Sequence, residues 1–106
     1  MGKPSRDKGA RVERKIVDML RKLGCEAGRV PLSGAAGGRY SDDVWLNTPK
    51  GLIGLQGECK ARKNAAGWQT IKGWLGDADF LALVEDRQDP LFVLPWPVMK
   101  KLLERL

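Results

Sequence analysis

The segment GECKARKN, Gly57 to Asn64, contains one acidic and three basic residues around a single cysteine. In an extended strand Glu58 and Lys60 share one face, because side chains alternate, and Cys59 points toward the opposite face. A carboxylate beside an amine can hold a cation against a phosphate group. A solvated charge run at the end of a strand has the same composition, so these eight residues alone leave both interpretations open.

A second acidic position, Asp43, precedes Glu58 by fifteen residues and ends a glycine-rich stretch, SGAAGGRYSDD. The segments DVWL and LIGLQGECKA read as two strands, and NTPKG between them reads as a turn. The resulting β-hairpin predicts that Asp43 lies near Glu58. The alternative for Asp43 is an ordinary loop acid or turn cap.

A third carboxylate, Glu13, lies on a predicted helix over residues 5–23. Its apolar stripe is formed by Val12, Ile16, Met19, Leu20 and Leu23. Glu13 projects about 20° from Leu20 and about 40° from Val17, so it faces the apolar side. A carboxylate there is costly unless it meets a cation, a donor or a metal. The alternative is that it lies at the edge of the stripe and extends into solvent.

These residue types suit metal-assisted cleavage of a phosphodiester. Two carboxylates and a backbone carbonyl can hold a hard divalent cation, which polarises the phosphate and lowers the pKa of a bound water. Lys60 would orient that water or stabilise the developing negative charge. The chain has no histidine, so the usual general base and zinc ligand are missing and magnesium or manganese is favoured.

The net charge of +6 is concentrated at one end. Residues 1–40 hold ten Lys/Arg against four Asp/Glu, and the rest holds nine of each sign. This asymmetry predicts a surface for a polyanion, with a merely solvated basic surface as the alternative. Cys25 and Cys59 lack metal spacing and are expected to be reduced thiols. No apolar run suits a membrane span, and we expect a cytoplasmic protein.

The remaining pattern predicts one domain over residues 1–106, with residues 1–7 as a flexible basic N-terminus. A short strand is expected within residues 25–31, a helix in 67–78, strands in 79–86 and 90–95, and a last helix from Pro97 with Val98, Leu102 and Leu103 facing inward. The order α-β-β-β-α-β-β-α predicts an α/β fold with a mixed sheet flanked by helices. We expect four large aromatic side chains either to fill the core or to close a subunit interface. They are Trp68, Trp74, Phe92 and Trp96.

Five segments carry a family resemblance: ERKIVDMLRKLG, SG, SDDVWL, GECKAR and WQTIKGWL. In this order they resemble the motifs of the archaeal-type Holliday junction resolvases. Those enzymes belong to the PD-(D/E)xK, restriction-endonuclease-like nuclease superfamily. The resemblance covers about residues 8–80. It implies a restriction-endonuclease-like core, a two-fold homodimer, magnesium (with manganese expected to substitute) and four-way DNA junctions as substrate. An archaeal cell or a virus-infected host cell is the implied setting.

The resemblance also implies site residues. Glu13 matches a metal-proximal glutamate of the first helix, Asp43 the catalytic aspartate, and Glu58 and Lys60 the Glu-x-Lys pair. Asp42 stands where the family has proline, which leaves open whether Asp42 also assists the metal. Ser33 and Gln69 match further polar site positions. The implied metal ligands are Asp43, Glu58, Glu13 and the backbone carbonyl of Cys59.

Junctions are recognised by shape, so DNA contacts should be mostly to phosphates. The candidates are Lys3, Arg6, Lys8, Arg11, Arg14, Arg29, Arg39, Arg62 and Lys63. The leading hypothesis is a magnesium-dependent endonuclease that makes paired symmetric nicks in junctions. The alternatives are a related nuclease acting on flaps, ends or mismatches, and a non-catalytic DNA-binding module. The intact set of Glu13, Asp43, Glu58 and Lys60 argues against a non-catalytic module.

Overall fold

The computed structural model describes residues 3–30, 42–51, 53–61 and 66–105, with side chains from Gly9 onward. Within these ranges the order of elements is the predicted one. The elements are α1 (Lys3–Lys22), β1 (Glu26–Arg29), β2 (Val44–Asn47), β3 (Gly54–Ala61), α2 (Trp68–Leu75), β4 (Phe80–Val84), β5 (Leu91–Val93) and α3 (Trp96–Glu104).

The described strands form one mixed sheet in the order β1-β2-β3-β4-β5. β1, β2 and β3 are antiparallel neighbours, β3 and β4 are parallel, and β5 returns antiparallel to β4. A parallel pair needs a crossover, and α2 supplies it between β3 and β4. The predicted hairpin of β2 and β3 is confirmed. Its turn contains a short 3-10 segment, Pro49–Gly51, where Lys50 and Gly51 have positive φ.

The main core lies between one face of the sheet and helices α1 and α3. Val12 and Ile16 of α1 and Val98 of α3 are buried against alternate side chains of the strands, including Leu55 and Phe80. Leu81 points to the other face of β4 and is also fully buried, while α2 packs against β3 and β4. The sheet is therefore covered on both faces, as expected for a parallel pair in its centre.

Two side chains that were predicted to face inward are exposed in the structure, and α1 begins at Lys3, two residues before its predicted start. Residues 3–7, part of the expected flexible N-terminus, lie in its first turns. Leu23, which was predicted to lie on the apolar stripe of the helix, follows its last residue, Lys22, and is 75% exposed. Leu103, predicted to face inward, is 54% exposed, although Val98 is buried and Leu102 packs against the core as predicted.

Gly57 is required by the packing at the centre of the sheet. Val44 pairs with Gly57 on one side, and Phe80 pairs with it on the other. A Cβ at position 57 would overlap the ring of Phe80, which is almost fully buried and contacts the ring of Phe92 at 5.5 Å between centroids. The absence of a side chain at Gly57 thus lets the aromatic ring fill the layer next to the site residues.

We therefore expect Gly57→Ala to lower the free energy of unfolding by about 1–3 kcal/mol, because an added methyl overpacks the core. Urea denaturation followed by circular dichroism measures it. Gly73→Ala is the matched control, since a Cβ there meets nothing within 4 Å and alanine favours the helix by about 1 kcal/mol. Equal stability of the two variants would contradict the packing account.

Candidate active site and nucleic-acid interface

Asp43 is held at the start of β2 by three hydrogen bonds. Its N–H donates to the carbonyl of Gly57 at 3.0 Å, its carbonyl accepts from the N–H of Val30 at 2.9 Å, and its Oδ2 accepts from the N–H of Cys59 at 2.9 Å. The pairing of Val44 with Gly57 places Asp43 opposite Glu58 on the next strand. The predicted proximity of these two carboxylates is confirmed.

β3 separates the three central residues of GECKARKN as its alternation predicts. Cys59 is buried in the core, and burial, followed by the neighbouring carboxylates, raises its pKa to about 12. Cys59 is therefore a packing residue and not a nucleophile. Glu58 and Lys60 are both half-buried. The charge of Lys60 acts on Glu58, favouring the ionised carboxylate.

Glu58 has a strongly raised pKa. Burial, the charge of Asp43 and a hydrogen bond with Asp42 together raise its pKa from 4.5 to about 8, more than Lys60 lowers it. The pKa of Asp42 is also raised, chiefly by burial. Because the shared hydrogen bond favours ionised Asp42 and neutral Glu58, Glu58 carries the proton in this pair at neutral pH.

Glu13 approaches the same region from α1. Its Oε1 accepts a hydrogen bond from Nε of Arg29 at 2.9 Å, and its side chain is 18% exposed. Burial raises the pKa of Glu13, the bond to Arg29 opposes this, and the charge of Asp43 adds to the increase. Glu13 therefore meets a cation on the apolar side of the helix, as its position in the stripe requires.

The donor set suits a cation that keeps much of its water. Among the described residues, no three Asp, Glu, Cys or His side chains form a group that could hold a metal. Asp43 and Glu58 are nevertheless neighbouring carboxylates. Burial, followed by the charge of Asp43, raises the pKa of Glu58, and a nearby cation would favour its ionised form. Magnesium is usually bound by one or two carboxylates plus waters, so the residues fit it.

Further acids surround the outer side of this site. A cavity of about 480 Å³ is lined partly by Asp42, Asp77, Asp79 and Trp45. Oδ2 of Asp79 accepts from the N–H of Gln56 at 2.8 Å, and its own N–H donates to the Gln56 carbonyl at 2.8 Å. These bonds fix the entry to β4. The negative charge here would repel DNA phosphates, so this side does not suit the DNA backbone.

Positive charge collects on the other side, between α1 and β1. A cavity of about 330 Å³ is lined by Arg14, Arg21 and Arg29, together with Val17, Asp18 and Gly28. Nε of Arg21 donates to the carbonyl of Ala27 at 2.9 Å, which orients its guanidinium. Because Arg29 also bonds Glu13, the basic cavity borders the acidic site. This arrangement suits a phosphate backbone that passes from the arginines to the carboxylates.

The other predicted site residues divide into three groups. Arg11 on α1 and Gln69 in the first turn of α2 are exposed. Lys3, Arg6 and Lys8 lie in the first turns of α1, and their side chains are outside the described part of the chain. Outside the described residues lie Ser33, Arg39, Arg62 and Lys63. Cys25 and Cys59 are free thiols, as predicted.

Sequence reasoning missed two features of the site. The sequence left open whether Asp42 assists the metal but did not predict that it shares a hydrogen bond with Glu58. Arg21 was not among the predicted DNA-binding residues, yet it lines the basic cavity. The spacing of Arg14 and Arg21, seven residues apart on one helix face, was the available signal.

A mixed sheet with an aspartate opposite a Glu-x-Lys strand defines a nuclease of the restriction-endonuclease-like class. The family model for archaeal Holliday junction resolvase (Hjc) matches residues 4–71. The structure is similar to that of the Archaeoglobus fulgidus Hjc, described as a Holliday junction resolvase from an archaeal hyperthermophile. The TM-score is 0.57 and the identity 26%, over 82% of this chain and 72% of that one. No curated protein matches the chain.

The chain belongs to the archaeal Holliday junction resolvase family, because the matched residues cover more than half of it. Its enzymatic class is therefore that of an endonuclease acting on Holliday junctions, and nucleases of this family generally depend on a metal. No helix in the described ranges is long and apolar enough to cross a membrane.

The raised pKa of Glu58 makes the stability of the metal-free protein depend on pH. Since folding favours protonated Glu58, its contribution is fully present below pH 4.5 and is lost as the pH rises through about 8. For a partly exposed carboxyl we expect a loss of about 1–2 kcal/mol after allowing for solvent screening. Thermal unfolding in a chelator at pH 5, 6.5 and 8 measures this loss.

Glu58→Gln should flatten this pH dependence, because glutamine cannot ionise. Glu85→Gln is the matched control, since Glu85 is exposed in the turn after β4, and it should retain the wild-type slope. A metal-free wild-type protein whose stability is constant from pH 5 to 8 would contradict the electrostatic account of the site.

Proposed function

We propose that the protein is a magnesium-dependent, structure-specific endodeoxyribonuclease that resolves four-way DNA junctions by paired symmetric nicks. The observation that carries the proposal is the register of β2 and β3, which places Asp43 opposite Glu58 with Lys60 on the same face. The adjoining basic cavity supports DNA as the substrate. Manganese is expected to replace magnesium, since both prefer oxygen ligands.

Asp43 and Glu58 would hold the metal, with the carbonyl of Cys59 and Glu13 as further ligands. When bound, the cation would polarise the scissile phosphate and lower the pKa of a coordinated water. The bond from Cys59 N–H to Oδ2 fixes Asp43 in one orientation, which leaves its other oxygen available. Lys60 stabilises negative charge that develops on the phosphate. Ser33 and Gln69 remain candidates for polar contacts with the DNA.

Glu58 must lose its proton to serve as a ligand, so Asp42 has a direct bearing on the reaction. Asp42 raises the pKa of Glu58 through a hydrogen bond and through its charge. Metal binding below pH 8 would therefore release a proton and strengthen as the pH rises. Asp42, which stands where the family has proline, adds to the larger effects of burial and of the charge of Asp43 on the pKa of Glu58.

The DNA backbone would lie along the basic cavity of Arg14, Arg21 and Arg29, with Arg11 and the basic residues of the N-terminal turns beside it. Phosphate contacts recognise backbone geometry and not base sequence, which suits a junction. Cleaving two opposite strands needs two sites, so we propose that a two-fold homodimer is the active form. Junction DNA is intracellular, which supports a cytoplasmic place of action.

Asp43→Asn and Glu58→Gln should reduce junction cleavage in magnesium by at least about 100-fold, because each removes a charged ligand. Junction binding in calcium should survive. The assay uses a labelled four-way junction beside linear duplex and flap DNA, with Glu85→Gln as control. Near wild-type cleavage by either variant would overturn the ligand assignment, and preferential cutting of flaps or ends would favour another nuclease of the same superfamily.

Junction affinity should fall steeply with salt, because bound phosphates release counterions. We expect Arg21→Gln to weaken binding and to reduce the slope of log K against log[salt] by about 1. Arg105→Gln, at the exposed end of α3, should leave both unchanged. Fluorescence anisotropy from 50 to 300 mM salt measures the slopes, and identical slopes for Arg21→Gln and wild type would remove Arg21 from the interface.

A further inference from the structure

The face of β1 and β2 that points away from α1 carries an indole ring laid across a glycine. Val44 and Leu46 of β2 are buried in the core beneath α1, so Trp45 between them points to the opposite face. Trp45 pairs with Gly28 of β1, and a Cβ at Gly28 would lie 2.9 Å from Nε1 of Trp45. The missing side chain at Gly28 therefore lets the indole lie against the backbone of β1.

A second glycine accommodates Asn47 beside the indole in the same way. Asn47 pairs with Gly54 of β3, and a Cβ at Gly54 would lie 2.9 Å from Oδ1 of Asn47. Nδ2 of Asn47 donates to Oε1 of Glu26 at 3.1 Å. This bond orients the amide so that its oxygen lies over Gly54. An aromatic ring and a hydrogen-bond acceptor therefore lie side by side on this face of the sheet.

The cavity of about 480 Å³ lies over these side chains, and we call it the Trp45 cavity. It is lined chiefly by Asp42, Trp45, Asn47, Gln56, Asp77 and Asp79, and its volume is in the range of small-ligand sites. Carboxylates accept hydrogen bonds and donate none. No lysine or arginine of the described ranges lines the cavity. The cavity therefore suits a flat neutral ring with N–H donors at its edge.

The Trp45 cavity adjoins the site of the proposed reaction. Asp42 lines the cavity and shares a hydrogen bond with Glu58, a proposed metal ligand. β1 is the edge strand of the described sheet, and its Gly28 also lines the basic cavity beside α1. The two cavities therefore lie on either side of one edge strand. A nucleotide at this edge can keep its phosphate near the arginines and place its base over Trp45.

We infer that the Trp45 cavity receives an unstacked guanine from a nucleotide beside the scissile phosphate. Bases stack on aromatic side chains, and guanine has two adjacent donors, N1–H and the 2-amino group, for one carboxylate. Adenine and cytosine have an acceptor beside the amino group, and thymine has no amino group. A branch point interrupts continuous stacking, which makes extrusion of a base less costly.

Within the cavity, we assign the edge of the base to Asp77. Asp42 shares its hydrogen bond with Glu58, and Oδ2 of Asp79 accepts from the N–H of Gln56. Asp77 is exposed in the turn between α2 and β4, at the side of the cavity. The inference rests on the proposed resolvase function, because it gives the same site a preference among cutting positions.

The first test compares junctions that differ only at a nucleotide beside the mapped cut, which carries guanine, hypoxanthine or thymine. The wild type should cut the guanine junction with a kcat/KM about 10-fold above that for thymine, with hypoxanthine, which lacks the 2-amino group, between them. Asp77→Asn should reduce this ratio to about twofold, because an amide offers one acceptor oxygen where a carboxylate offers two. Asp86→Asn is the matched control, since Asp86 is exposed in the turn after β4, and it should keep the ratio.

The second test needs neither cleavage nor phosphate. The protein labelled with ¹⁵N is titrated with deoxyguanosine, deoxyinosine or thymidine, and the indole N–H signal of Trp45 is assigned through its nuclear Overhauser contact with Gly28. Deoxyguanosine should shift this signal saturably, with a Kd at least about fivefold below that of deoxyinosine. The indole signal of Trp68, which is 74% exposed on α2, is the internal control and should not move.

Equal cutting of the guanine and hypoxanthine junctions by the wild type would overturn the inference and leave the resolvase function standing. A guanine preference that Asp77→Asn retains would also overturn it. Deoxyguanosine binding by a protein that cuts no junction would refute the proposed function and support the cavity. A larger shift of the Trp45 signal with arginine amide than with deoxyguanosine would assign the cavity to a basic protein segment, against the inference.

Discussion

Burial of neighbouring carboxylates at the adjoining ends of β2 and β3 is the constraint on which the site depends. Asp42, Asp43 and Glu58 are partly buried, and Glu13 approaches from the helix. Burial, followed by the charge of Asp43 and the hydrogen bond with Asp42, raises the pKa of Glu58 to about 8. The fold tolerates this cost because the backbone binds Asp43 through three hydrogen bonds and Arg29 offsets Glu13. A divalent cation would offset the remaining electrostatic cost of ionising these carboxylates.

The charge of the side chains differs from one edge of the described sheet to the other. β1 carries the arginine that binds Glu13, β2 and β3 carry the carboxylates, and β5 at the far edge carries exposed apolar side chains. Charge therefore changes across the sheet from cationic, through anionic, to uncharged. This order separates the basic cavity, the acidic site and the exposed apolar side chains of β5 along the described sheet.

Gly57 and Cys59 contribute both to the packing of the core and to the geometry of the site. Gly57 lets Phe80 fill the core, and the same residue accepts the backbone hydrogen bond of Asp43. Cys59 contributes a buried side chain to one face and an N–H to the carboxylate of Asp43. A change in the packing of β3 would therefore move the acidic residues directly, since the backbone that supports the core also orients them.

Local patterns in the sequence were sufficient for the order of elements, the hairpin and the division of Glu58, Cys59 and Lys60 between two faces. These features depend on side-chain alternation and turn residues, which act over a few positions. The exposure of Leu23 and Leu103 was not predicted, because apolar periodicity does not reveal how far the sheet extends beneath a helix. The partnership of Asp42 with Glu58, and of Glu13 with Arg29, joins residues sixteen apart in sequence. Only the strand register and the docking of α1 decided these pairs, because each requires two distant segments to share one small region of low solvent access.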